Sequence, residues 1–81
     1  MTVTLRLYAG LRERAGGDRL EVDLPAGSDV GGLRGAVAKA CPALAPALPS
    51  CRFAIADEFV ADSAPVPPHV PIDLIPPVSG G

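Results

Sequence analysis

Ten prolines partition this 81-residue chain more sharply than any other feature. Each fixes φ at about −65° and removes a backbone donor, so interior strands and helices must fit between them. Pro25 closes a first stretch, Pro42 a second, and Pro46 and Pro49 break up the segment that follows. Pro65, Pro67, Pro68 and Pro71 crowd residues 62–71. That stretch is therefore a surface loop and not an interior strand, and its prolines reduce the entropy lost on folding. Pro76 and Pro77 stand just before the end.

Between these marks the hydrophobic pattern is legible. Val3, Leu5 and Leu7 alternate with Thr2, Thr4, Arg6 and Tyr8, the period of a half-buried strand. Leu11 to Ala15 reads as a short helical turn or loop ending at Gly16-Gly17. Leu20, Val22 and Leu24 then alternate with Arg19, Glu21 and Asp23, giving a hairpin with an enlarged loop. Ser28 or Asp29 can cap a helix over residues 30–40, in which Val30, Leu33, Val37 and Ala40 or Cys41 keep helical spacing. Gly31, Gly32 and Gly35 each cost that helix about 0.8–1.0 kcal/mol relative to alanine, so packing must hold it. The same glycines would let it approach the sheet closely. Residues 43–50 form an irregular or single-turn crossing within one domain. A strand follows over 52–56 with Phe53 and Ile55 inward, then an Asp57-Glu58 turn, then a return strand from Phe59-Val60. Ile72 to Ile75 is the last strand, with Ile72 and Leu74 on one face and Asp73 and Ile75 on the other. The order predicts an α+β domain, a mixed sheet with one main helix on one face, in residues 1–75. If the first and last strands pair in the centre, Tyr8, Ile75 and Phe59 share the uncovered face as a docking patch.

Composition narrows the function classes. The net charge is −2, no basic cluster is present, and the aromatic residues are two Phe and one Tyr, which argues against nucleic acid. No run is long enough to span a membrane, and the N-terminus lacks the basic and apolar segments of a signal peptide, so the expected location is the cytoplasm. Cys41 and Cys51 have no zinc-type spacing and read as reduced structural thiols; no metal is expected. His69 is the sole histidine and has no accompanying nucleophile or second ligand, so it reads as solvated.

The end of the chain is different in kind. Pro76, Pro77, Val78, Ser79, Gly80 and Gly81 make a stiff spacer, three small residues and a carboxylate. Residues 76–81, extended, reach roughly 20 Å at about 3.3–3.6 Å per residue. This is a flexible tail that presents a carboxylate on an arm, narrow enough at Gly80-Gly81 to enter a tight channel.

Val3 to Ala15, the stretch Phe53-Ala54-Ile55-Ala56-Asp57-Glu58-Phe59-Val60 and the terminal Leu-Ile-Pro-Pro-Val-Ser-Gly-Gly together resemble the MoaD family, the small sulfur-carrying subunit of molybdopterin synthase. The family fold is a ubiquitin-like β-grasp. Ala56 departs from its usual asparagine, and His69 and Val70 stand where it has a Gly-Asp turn. The resemblance implies a protein that is not catalytic alone and binds no cofactor. An E1-like partner consumes ATP to adenylate Gly81, and an indirect persulfide donor supplies sulfur, leaving a covalent 1-thioglycine. The synthase large subunit then takes tail residues Pro76 to Gly80 into its active site, where sulfur passes to a pterin precursor. The alternatives are a sulfur carrier for thiamin or cysteine formation, a ubiquitin-like modifier conjugated through Gly81, or a plain interaction domain.

Overall fold

The computed structural model describes residues 1–77. Five strands form one mixed sheet in the order β2-β1-β5-β3-β4. β1 (Thr2–Leu7) pairs antiparallel with β2 (Arg19–Asp23), the hairpin that the double alternation predicts. Its connection holds a short helix, α1 (Gly10–Ala15), which stops at Gly16 in the left-handed region with φ 79°. The Gly16 and Gly17 amides both donate to the Arg12 carbonyl and close the helix end.

α2 (Val30–Ala40) crosses one face of the sheet and buries Val30, Leu33 and Val37 completely. Asp29 caps it, accepting from the Gly32 amide at 2.8 Å. The amides of Val30 and Gly31 donate to the carbonyls of Ala64 and Asp62, so the proline-rich loop seals the rest of the first turn. Two 3-10 turns, Pro42–Leu44 and Leu48–Ser50, return the chain to the sheet. β3 (Arg52–Ile55) and β4 (Glu58–Val60) form a tight hairpin, and β5 (Ile72–Ile75) inserts between β3 and β1.

The core lies between sheet and helix: Val3, Leu5 and Leu7 from β1, Ile72 and Leu74 from β5, Phe53 from β3 and the apolar stripe of α2. Each fully buried large side chain contributes about 1.5–3 kcal/mol. β5 pairs parallel with β1 and antiparallel with β3, which puts the first and last strands side by side in the middle. With one main helix on one face, this is the β-grasp arrangement.

Two local expectations change. The β3–β4 turn is Ala56-Asp57, with Glu58 already in β4; both residues have positive φ, 52° and 66°, the two-residue turn whose twist suits a hairpin. The glycines of α2 do not bring it nearer the sheet. Gly35 opens onto solvent, while Gly31 and Gly32 face Asp29, with Asp62 also beside Gly31 and Ser28 beside Gly32.

Candidate functional site

The face opposite α2 is built by the outward members of each alternation. Strand register sets Arg6, Asp73, Ala54 and Phe59 in one row across β1, β5, β3 and β4. The next row holds Ile75 opposite Arg52, and Tyr8, one residue beyond the Leu7–Leu74 pair, stands on the Ile75 side. Tyr8 and Phe59 are the exposed large hydrophobic side chains, 41% and 52% accessible, and Ile75 is half-buried. The three patch residues thus share the open face.

Asp73 divides them. It lies in the centre of the face yet is only 7% exposed. Its carboxylate accepts from Arg6 Nε at 2.6 Å, Arg6 Nη2 at 3.1 Å and the Tyr8 hydroxyl at 3.0 Å. A carboxylate this enclosed needs such donors, and here they come from the neighbouring parallel strand. The hydrogen bond to Asp73 pushes the Tyr8 phenol above its ordinary value, with burial a smaller cause in the same direction. It also raises the Arg6 guanidinium, which stays charged at any ordinary pH. Tyr8 is therefore held in one pose, ring exposed and hydroxyl anchored.

Beyond Asp73, Ala54 forms the floor of a shallow hollow of about 160 Å³, walled by Phe59, Ile75, Asp57 and Asp73. The Arg52 guanidinium lies 3.9 Å from the centroid of the Phe59 ring and steadies it from the rim. Sequence patterning finds Tyr8, Phe59 and Ile75 as outward apolar residues. It misses Asp73 and Arg6 as the group that fixes them, since the partners lie 67 positions apart.

Pro76 is half-buried and Pro77 exposed directly after central strand β5. Val78, Ser79, Gly80 and Gly81 lie outside the described residues. Among the described residues no group of three His, Cys, Asp or Glu side chains gathers as a metal site, and no helix is long and apolar enough to cross a membrane. Both cysteines are free thiols, Cys41 half-buried and Cys51 buried. Burial pushes the Cys51 thiol up, and its Sγ donates to the Ala47 carbonyl at 3.1 Å, which leaves it a poor nucleophile. His69 is exposed at a left-handed φ of 61°, a conformation in which the glycine of the resembled pattern fits without strain.

A family model described as the ThiS family matches residues 5–81. Comparison with curated proteins returns no match. Among solved structures, SAMP1 from Haloferax volcanii is similar over 100% of both chains, with 27% identity and a TM-score of 0.85. A putative molybdopterin converting factor, subunit 1, from Pyrococcus furiosus superposes with a TM-score of 0.83 at 21% identity, covering 96% of this chain and 99% of that one. Subunits 1 and 2 of the molybdopterin-converting factor from Helicobacter pylori, solved as a protein–protein complex, give a match with TM-score 0.68 at 23% identity over 100% of both chains. At these identities the last two speak for the fold.

Proposed function

The chain belongs to the ThiS family of ubiquitin-like sulfur carriers, and from that premise we propose that it carries sulfur for molybdopterin formation in the cytoplasm. The observation that carries this reading is a family match that runs through Gly81, joined to a spacer, Pro76 to Ser79, rooted at a central strand. A carboxylate is a poor electrophile, so an E1-like enzyme must activate it. A Gly81 carboxylate oxygen attacks the α-phosphate of ATP, forming an acyl-adenylate and releasing pyrophosphate. The terminal sulfur of a persulfide then attacks the acyl carbon and AMP leaves, giving an acyl disulfide. A thiol reductant cleaves its S–S bond, and the thiocarboxylate remains on Gly81. The large synthase subunit accepts the tail, and the thiocarboxylate sulfur passes to the pterin precursor.

In this reading Gly81 is the reacting residue and Pro76, Pro77, Val78, Ser79 and Gly80 are the threaded spacer. Tyr8, Phe59 and Ile75 form the surface that a partner grips. The fold neighbour from Helicobacter pylori, solved with its subunit 2, supports a large-subunit partner by likeness of fold. Ordering a flexible residue costs about 1–2 kcal/mol, and a proline spacer lowers that cost on entry to a channel.

A second reading has its own support. SAMP1 is a small archaeal modifier protein by name, and it is 27% identical over the full length. A modifier would be joined through Gly81 to lysines of target proteins. This chain has a single lysine, Lys39, which leaves little basis for self-linked chains.

Intact-mass analysis of the protein recovered from its native cell separates the two. The expected species is heavier by one oxygen-to-sulfur exchange, and it disappears when Gly81 is deleted. Isopeptide adducts without that species would overturn the carrier reading. The thiocarboxylate form, supplied to the large subunit with pterin precursor, is expected to yield the dithiolene product. Failure there with the exchange present points to another sulfur acceptor, as in thiamin or cysteine formation.

A further inference from the structure

Beside Tyr8, at the end of β1 away from the Ala54 hollow, lies a cleft of about 200 Å³ lined by Arg6, Leu7, Tyr8, Arg12, Asp18 and Arg19. The chain carries a net charge of −2 with seven cationic side chains, and three of the seven meet in this one cleft. Their ion pairing is unequal. Arg6 is committed to Asp73. Among the described residues Arg12 and Arg19 make no salt bridge, and both are exposed. Arg19 stands directly opposite Arg6 in the antiparallel register, a like-charge cross-strand pair that is unfavourable by itself. Asp18 also lines the cleft; with Arg6 paired to Asp73, two guanidiniums face this one carboxylate and the balance there stays positive. Backbone bonding holds the walls: the Leu7 amide donates to the Asp18 carbonyl at 2.8 Å, and the Arg12 carbonyl closes α1.

We infer that this cleft receives a carboxylate side chain, aspartate or glutamate, from the protein that grips the open face. A carboxylate fits the planar guanidinium fork two bonds at a time. A monoanion also tolerates Asp18 better than a phosphate dianion does. Tyr8 joins the cleft to the open face, since it lines the cleft while its hydroxyl donates to Asp73, a wall of the Ala54 hollow. The partner would then meet an apolar hollow on one side of Tyr8 and a cationic cleft on the other. That pairing sets the rotation at which it docks, and with it the direction from which it meets the tail root at Pro76 and Pro77.

This inference rests on the large-subunit reading above, and the test keeps the two apart. Binding of the molybdopterin synthase large subunit from the same cell is measured for the parent chain and for an Arg12→Gln, Arg19→Gln double variant. Both chains are first checked for parent-like circular dichroism. The measurement is repeated between about 0.05 and about 0.3 M salt, a range over which exposed charges become screened. The double variant is expected to bind about tenfold more weakly at low salt, mostly through slower association, and to lose most of the salt dependence. Arg12→Lys with Arg19→Lys is expected to keep the salt dependence and recover part of the affinity, because charge is retained and the fork is lost. Equal affinity and equal salt dependence of parent and double variant would overturn the cleft while leaving the large-subunit reading intact. No binding by the parent chain would overturn both.

Discussion

Gly35 sits inside α2 with nothing within 4 Å of where a Cβ would stand, and its backbone is ordinary helix. Its effect on stability comes from the freedom it grants the unfolded chain. Gly35→Ala is expected to stabilise the domain by about 0.8–1.0 kcal/mol, a rise in Tm of several degrees for a domain this size. Thermal unfolding by circular dichroism checks it, and an unchanged or lowered Tm would contradict it. Asp73 shows the opposite economy. Its identity is plain in the sequence, and so is its outward direction from the alternation of β5. Its burial is not, because that depends on Arg6 and Tyr8 arriving from the other end of the chain. Ala56 hides its conformation for a related reason. The resembled pattern has asparagine there, a residue that tolerates left-handed backbone, and alanine carries no sign of the φ of 52° it must adopt.

At the scale of elements, α2 is a poor helix by propensity; burial of Val30, Leu33 and Val37 holds it to the sheet, and Arg34 ties it to its other neighbours. The guanidinium donates to both Asp62 carboxylate oxygens, at 3.2 and 2.7 Å, to the Cys51 carbonyl at 2.9 Å and to the Leu48 carbonyl. It also lies 5.0 Å from the centroid of the Phe53 ring. One side chain thus joins the helix, the proline-rich loop, the second 3-10 turn and β3. The Arg34 hydrogen bond holds the Asp62 carboxyl below its ordinary value of 3.8. A carboxyl depressed in the folded state adds stability that is fully present above the unfolded value and lost as pH falls through the folded one. Stability is therefore expected to drop as pH falls below about 3.8, and Asp62→Asn to remove part of that drop. Denaturant titrations of both chains across that range measure it; an identical acid limb would show the pair contributes nothing. Helix and strands were legible because their periods are local. Arg34 as a hub was not, since its partners stand 14 to 28 positions away and three of its acceptors are backbone carbonyls or an exposed aspartate.

The whole molecule places its two legible ends together. The parallel pairing of β1 and β5 brings Tyr8, the end of the first strand, beside Ile75, the end of the last, so that docking face and tail root adjoin. The sequence offers this adjacency on the condition that the first and last strands pair in the centre, which they do. The arginine cleft was beyond it, because Arg12, Arg19 and Arg6 come from three elements and meet only through the hairpin loop. At this scale the spacer is the part to perturb. Changing Pro76 and Pro77 together to glycine is expected to weaken capture by the large subunit by roughly 4- to 30-fold, at about 0.4–1 kcal/mol for each residue freed, while adenylation of Gly81 persists. Titration calorimetry and an ATP–pyrophosphate exchange assay check the two halves separately, and equal affinity of parent and variant would refute the spacer role.

The central position of β5 has a mechanical meaning as well. An enzyme that holds the domain by its open face and draws on the tail applies tension along the axis of β5. Hydrogen bonds to β1 on one side and β3 on the other lie across that axis, so the load falls on both ladders at once in shear. A terminal strand at a sheet edge would carry the same load on one ladder only. On the proposed reading, the pairing that sets Pro76 beside the open face would also let the tail be drawn into a partner while the domain behind it stays folded.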